Sequence, residues 1–184
     1  MIIACLGWGS LIWRPGNLQI QREWFNDGPF LPIEFVRTSN DGRLTLVISE
    51  TAMQVRSLWA LMATDSLDLA RDSLRIREGI LKENLSSKIG YLKVEEETTD
   101  RIKSVIKDWA ITKRLDAVIW TSLPARYNNL DGKEPTKEEA LKYLRSLDIN
   151  RWENAQEYIR KAPKQIDTEF RRSFEKEFGW TYIE

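Results

Sequence analysis

The sequence predicts a single α+β domain: strands dominate the first half, one or two helices interrupt them, and the last third is helical, with a sheet that curls toward a barrel. Three observations predict it. Short apolar runs bounded by glycine, proline and asparagine recur up to Thr121. Helix caps and helical apolar spacing take over from Thr136. With 184 residues and no internal repeat, low-complexity tract or linker, one domain is expected over 1–184.

The first strand is Ile2-Ile3-Ala4-Cys5-Leu6, followed by Gly7-Trp8-Gly9-Ser10. Leu31 to Thr38 alternates as a strand, with Ile33 and Phe35 on one side. Asn40-Asp41-Gly42 is a hairpin turn, and Leu44, Leu46 and Ile48 share a face of the returning strand. Leu58 to Met62 is a further apolar strand. Asp65 reads as the N-cap of a helix over 66–78, striped by Leu67, Ala70, Leu74 and Arg77 and stopped by Gly79. Ile89 to Val94 is again a strand. Thr98 or Thr99 caps a second helix carrying Ile102, Val105, Ile106 and Trp109.

Asp116 to Thr121 is nearly all apolar, so it is expected to be buried on both faces; Ser122-Leu123-Pro124 ends it. Residues 128–135 read as a polar loop. Thr136 and Glu139 form a capping box ahead of an apolar face of Ala140, Leu141, Leu144 and Leu147. A helix follows over about Trp152 to Arg160. Pro163 is expected near the first position of the final helix. Ile166, Phe170, Phe174 and Phe178 recur along it every four residues, and Gly179 ends it.

Composition excludes several kinds of chemistry. Twenty-eight basic and 28 acidic residues cancel, with no basic stripe, so no nucleic-acid partner is expected. There is no histidine, which removes histidine-based triads and imidazole metal sites. The lone Cys5 permits no internal disulfide and no thiolate zinc cluster, and its apolar strand marks it as a buried hydrophobe. No metal is expected. No basic segment precedes the first apolar run, and no run nears the ~20 residues that span a bilayer. A cytoplasmic protein without a membrane partner is expected.

Acid–base work must then fall to Asp, Glu, Lys or Tyr. Glu78 stands out because it closes the 66–78 helix. There the negative end of the macrodipole disfavours the ionised carboxylate, which suits a general base. The plainer reading is a solvated helix-end glutamate beside Arg75 or Arg77. Gly7 and Gly9 likewise admit two readings: a nest of backbone N–H groups for an anion or oxyanion, or a sharp turn packing Trp8 and Trp13. Gly-x-Gly lacks the remaining parts of a dinucleotide fingerprint or a P-loop. Glu34, opposite Ile33 and Phe35 on its strand, is a second carboxylate candidate. Glu95-Glu96-Glu97 and Arg171-Arg172 read as surface, and Trp120, Tyr127 and Trp180 as core or pocket lining.

With that turn after the first strand and Glu78-Gly79 after the first helix, the chain resembles the γ-glutamylcyclotransferase-like superfamily. The family's Tyr-Gly-Ser stands here as Trp8-Gly9-Ser10. The string Gly7-Trp8-Gly9-Ser10-Leu11-Ile12-Trp13 is similar to the Gly-Tyr-Gly-Ser-Leu-Ile-Trp of the glutathione-acting branch. The resemblance covers about residues 1–125, with 136–184 as a helical extension packed on that part. It implies a small mixed β-barrel flanked by helices. It implies a γ-glutamyl amine or peptide as substrate, held by Gly7, Trp8, Gly9, Ser10 and Leu11. Glu78 would be the general acid/base that releases 5-oxoproline, with no cofactor. Trp8 departs from the family tyrosine: an indole has one donor and no acceptor.

Two other expectations stand beside this one. The first is a non-catalytic protein that keeps the pocket for a small carboxylated metabolite. The second is a homodimer through the tail, with Ile166, Phe170 and Phe174 against another copy.

Overall fold

Backbone pairing sorts the strands into two curled sheets, and six α-helices accompany them in a mixed α+β fold. The computed structural model describes residues 1–184. Its contacts group the chain into two compact units: Met1–Gly7, Arg14–Leu31 and Arg56–Leu123 in the first, and Trp8–Trp13, Pro32–Val55 and Pro124–Glu184 in the second. No helix is long and apolar enough to cross a membrane.

In the first unit, β1 (Ile3–Gly7) pairs parallel with β7 (Ala117–Thr121) and antiparallel with β5 (Leu58–Leu61); β6 (Ile89–Lys93) pairs antiparallel with β7. Every β1 residue is buried, as its unbroken apolar run requires. The parallel register runs from Ile3 opposite Ala117 to Cys5 opposite Ile119, so Gly7 and Thr121 lie at the same end of the central pair. Two helices, α1 (Leu67–Arg77) and α3 (Arg101–Thr112), pack on β6 and β7, and the single-turn α2 (Leu85–Lys88) packs on β6.

Both N-caps differ from expectation by one or two residues. Ser66, not Asp65, accepts the Leu69 N–H, and Asp100, not Thr98 or Thr99, accepts the Lys103 N–H. Thr64 and Thr98 are occupied one step earlier, accepting the N–H groups of Ser66 and Asp100. The polar cluster locates each helix start, and local geometry selects the residue that caps it.

In the second unit, β2 (Phe30–Thr38) is flanked by β3 (Leu44–Ile48) and β8 (Arg126–Tyr127), β8 continues to β9 (Leu130–Asp131), and β4 (Gln54–Arg56) also pairs with β2. Residues 128–135, expected as loop, thus begin inside a hairpin. Asn128 and Asn129 join the Tyr127–Leu130 pair with φ of 52° and 61°, the backbone of a type I′ turn. Three helices follow: α4 (Lys137–Arg145), α5 (Ile149–Lys161) and α6 (Glu169–Phe178). The Thr136–Glu139 capping box forms in full, and Gly179 ends α6 with φ 68°.

Pro163 does not open the last helix. Residues 163–166 make a turn closed by the Ile166 N–H on the Pro163 carbonyl, and Thr168 caps α6. Ile166 and Phe174 are fully buried within this unit, so they are not the exposed dimer face expected of them. Arg171 is also buried, donating to the carbonyls of Pro163 and Ile166, whereas Arg172 is on the surface with Asp167. Arg171, Phe174 and Phe178 have the i, i+3, i+7 spacing of one helix face, a pattern masked by the neighbouring arginine.

Candidate functional site

Glu78 caps the C-terminus of α1, and Gly79 follows with φ 64°. The Gly79 N–H bonds to the Ile76 carbonyl and the Ile80 N–H to the Arg75 carbonyl, which is the Schellman pattern. A Cβ on Gly79 would meet nothing within 4 Å, so the glycine is there for its left-handed backbone. The Glu-Gly pair therefore has a local cause: Gly79 turns the chain away and leaves Glu78 as the last side chain of the helix.

That side chain is partly shielded from solvent. It is only 17% exposed and forms an ion pair with Arg77, Nη1 to Oε1, at 2.5 Å. The same guanidinium donates from Nε and Nη2 to the Arg14 carbonyl, at 3.2 and 2.7 Å. Glu78 also acts electrostatically on Cys5 of β1. Burial, with Glu78 repulsion added, pushes the Cys5 thiol far above its ordinary range, so it is no nucleophile near neutral pH. The first unit holds both Glu78 and β1, whose last residue is Gly7. It ties Glu78 through Arg77 to Arg14, where the chain returns to this unit after the turn.

Thr121 is the last residue of β7. Its hydroxyl is buried without a hydrogen-bond partner. Such an orphan is costly and marks a polar group with an unspent bond. The only sequence signal is a threonine closing an otherwise apolar strand.

The turn itself lies in the second unit from Trp8 onward. Gly7, Trp8, Gly9 and Leu11 are buried and Ser10 is half-buried. Neither Gly7 nor Gly9 has positive φ. Gly9 is needed for close approach instead, because a Cβ there would overlap the Tyr158 hydroxyl of α5. The Ile12 N–H closes the turn on the Gly9 carbonyl at 3.0 Å.

Trp8 Nε1 donates to the Leu46 carbonyl at 3.1 Å, and the Leu46 N–H donates to the Tyr158 hydroxyl at 3.3 Å. Leu46 belongs to β3, an edge strand, and these two side chains engage its amide groups. The indole of Trp8 has a structural use: its single donor meets a backbone carbonyl.

The second carboxylate candidate is a helix cap. Glu34 is buried, and its Oε1 accepts from Thr168 Oγ1 at 2.5 Å and from its neighbour Phe35 N–H at 2.8 Å. Its Oε2 accepts from the Phe170 N–H in the first turn of α6 at 3.1 Å. Thr168 meanwhile accepts the Arg171 N–H, so the two residues share the orphan donors of one helix start. Burial pushes the Glu34 carboxyl above its usual range, against the pull of these bonds. A cleft of about 340 Å³ lies beside it, lined with Glu134, Glu138, Glu169 and Lys137.

Trp120, Tyr127 and Trp180 are all buried. Glu95, Glu96 and Glu97 are exposed, as their charge run suggested. No family model matches the chain, and no curated protein or solved structure does either.

Proposed function

We propose that this chain is a γ-glutamylcyclotransferase-like enzyme, of the mixed-barrel type, acting in the cytoplasm without a cofactor. Its substrate is a γ-glutamyl amine or peptide. Glu78 takes a proton from the substrate α-amino group, and that nitrogen attacks the γ-carbonyl. The new C–N bond closes 5-oxoproline, the old amide C–N bond breaks, and the proton passes from Glu78 to the leaving amine. Backbone N–H groups of Gly7, Trp8, Gly9, Ser10 and Leu11 hold the γ-glutamyl group.

One observation carries this reading. Arg77 ties the largely buried Glu78 to the Arg14 carbonyl, at one end of the segment that begins with Gly7 on β1. A helix-end glutamate of purely local purpose would be solvated. Incubation with glutathione and simple γ-glutamyl dipeptides should yield 5-oxoproline, and the Glu78→Gln variant should yield none. Absence of product from all of them, or full activity in the variant, overturns the proposal.

The same ion pair favours a second reading. Arg77 is a guanidinium held in place by Glu78 and the Arg14 carbonyl, the kind of group that pairs with a ligand carboxylate. On this reading the chain binds a small carboxylated metabolite and does not turn it over. Thermal protection by a γ-glutamyl dipeptide, with the dipeptide recovered intact, distinguishes it.

A further inference from the structure

The second unit holds another cleft, opposite in charge to the one beside Glu34. It encloses about 380 Å³ and is lined by Thr38, Asn40, Arg126, Asn128, Asn129 and Arg151, and no carboxylate lines it. The cleft beside Glu34 has four glutamates and one lysine.

Each guanidinium group faces one carboxylate through Nε alone. The stem of Arg151 lies on Gly42, where a Cβ would collide with it. Arg151 faces Asp148 through Nε at 3.5 Å, and its side chain is 57% exposed. Arg126 faces Asp131 through Nε at 3.8 Å, while that carboxylate is met more closely by Arg37 at 3.3 Å. In both cases the nearest acid sits at the Nε edge. Tyr143, also in the lining, donates its hydroxyl to the Gly42 carbonyl at 3.0 Å and so braces the loop under Arg151. The type I′ turn fixes the backbone of Asn128 and Asn129 at the rim.

The geometry points to a binding site for a hexose-sized phosphate monoester. Two guanidinium groups balance a phosphate dianion and take its oxygens by paired N–H bonds, which a single carboxylate would leave half used. Asparagine amides both donate and accept, as sugar hydroxyls demand. The volume is that of a small-ligand site. Neither Glu78 nor Gly7 lines this cleft, so ligand binding here is independent of the proposed reaction.

Calorimetric titration of the full chain with glucose 6-phosphate, glucose and inorganic phosphate tests it. Glucose 6-phosphate should saturate with Kd below about 1 mM. Inorganic phosphate should bind at least about tenfold more weakly, and glucose not at all. Arg151→Gln and Arg126→Gln should each weaken the ester by about tenfold or more. Near-ultraviolet circular dichroism checks that both variants fold; Arg151→Gln retains the part of the stem that covers Gly42. No saturation by glucose 6-phosphate, inorganic phosphate binding as tightly as the ester, or undiminished binding in both folded variants overturns the assignment.

Discussion

One guanidinium, that of Arg77, holds both the Glu78 carboxylate, at 2.5 Å, and the Arg14 carbonyl, at 2.7 Å. The Arg77 and Glu78 side chains are only 12% and 17% exposed, so the pair is shielded from most solvent screening. Removing either partner has different consequences. Arg77→Met leaves a shielded carboxylate and the Arg14 carbonyl without that donor, and should cost about 1–3 kcal/mol in urea unfolding. Glu78→Gln keeps a hydrogen-bonding group and should cost less stability. In the 5-oxoproline assay, however, it should lose at least about a hundredfold in rate. A variant pair in which stability and activity fall together would assign Glu78 to structure alone.

Gly9 and Tyr158 form a steric couple. Gly9→Ala should destabilise by about 1–3 kcal/mol, because the new methyl meets the Tyr158 hydroxyl inside a buried segment. Tyr158→Phe alone should cost about 1 kcal/mol through its lost bond from the Leu46 N–H. The double variant should cost less than the sum, since the oxygen that obstructs the methyl is gone. Denaturant midpoints of the four proteins measure the coupling. Strict additivity would remove Tyr158 as the reason for Gly9.

How much of this was legible depended on range. The β2–β3 hairpin, the apolar β1 and β7, the Thr136–Glu139 capping box and the Gly79 and Gly179 stops each follow from residues close in sequence. The caps of α1 and α3 fall among adjacent Ser, Thr and Asp residues of similar capping power, which sequence alone does not separate. Other roles were illegible because their partners are remote. Glu34 is a cap only by virtue of Phe170, 136 residues away. Leu46 meets Tyr158 across 112 residues, so neither the edge of β3 nor the crowding at Gly9 leaves a local trace. In the candidate site, Glu78 could be read from its helix-end position, but its burial and the link from Arg77 to Arg14 could not.

Glu34 predicts a pH dependence of stability. Burial raises its carboxyl above the ordinary value of 4.5 in the folded chain. The native state therefore binds more protons than the unfolded state between that value and the raised one. Stability contributed by this group is fully present below about pH 4.5 and is lost as pH rises through the folded value. Glu34→Gln cannot titrate. The stability of the wild type relative to Glu34→Gln should fall on going from pH 4 to pH 8, whatever the fixed cost of the amide. Guanidinium unfolding of both proteins across that range reads the slope, and a difference rising with pH would refute the assignment.

Thr121 separates stability from function. Its buried hydroxyl has no partner, so folding strips water from it without compensation. Thr121→Val keeps the β-branched shape at the end of β7 and removes that penalty. The variant should be more stable by about 1 kcal/mol, seen as a higher urea midpoint at unchanged slope. Thr121 lies at the same end of the central strand pair as Gly7. If its unspent bond belongs to the γ-glutamyl substrate, the same variant should raise KM by about tenfold. Gain of stability with loss of affinity is the signature of a polar group kept for a ligand. A loss of stability would mean that the hydroxyl is bonded within the fold.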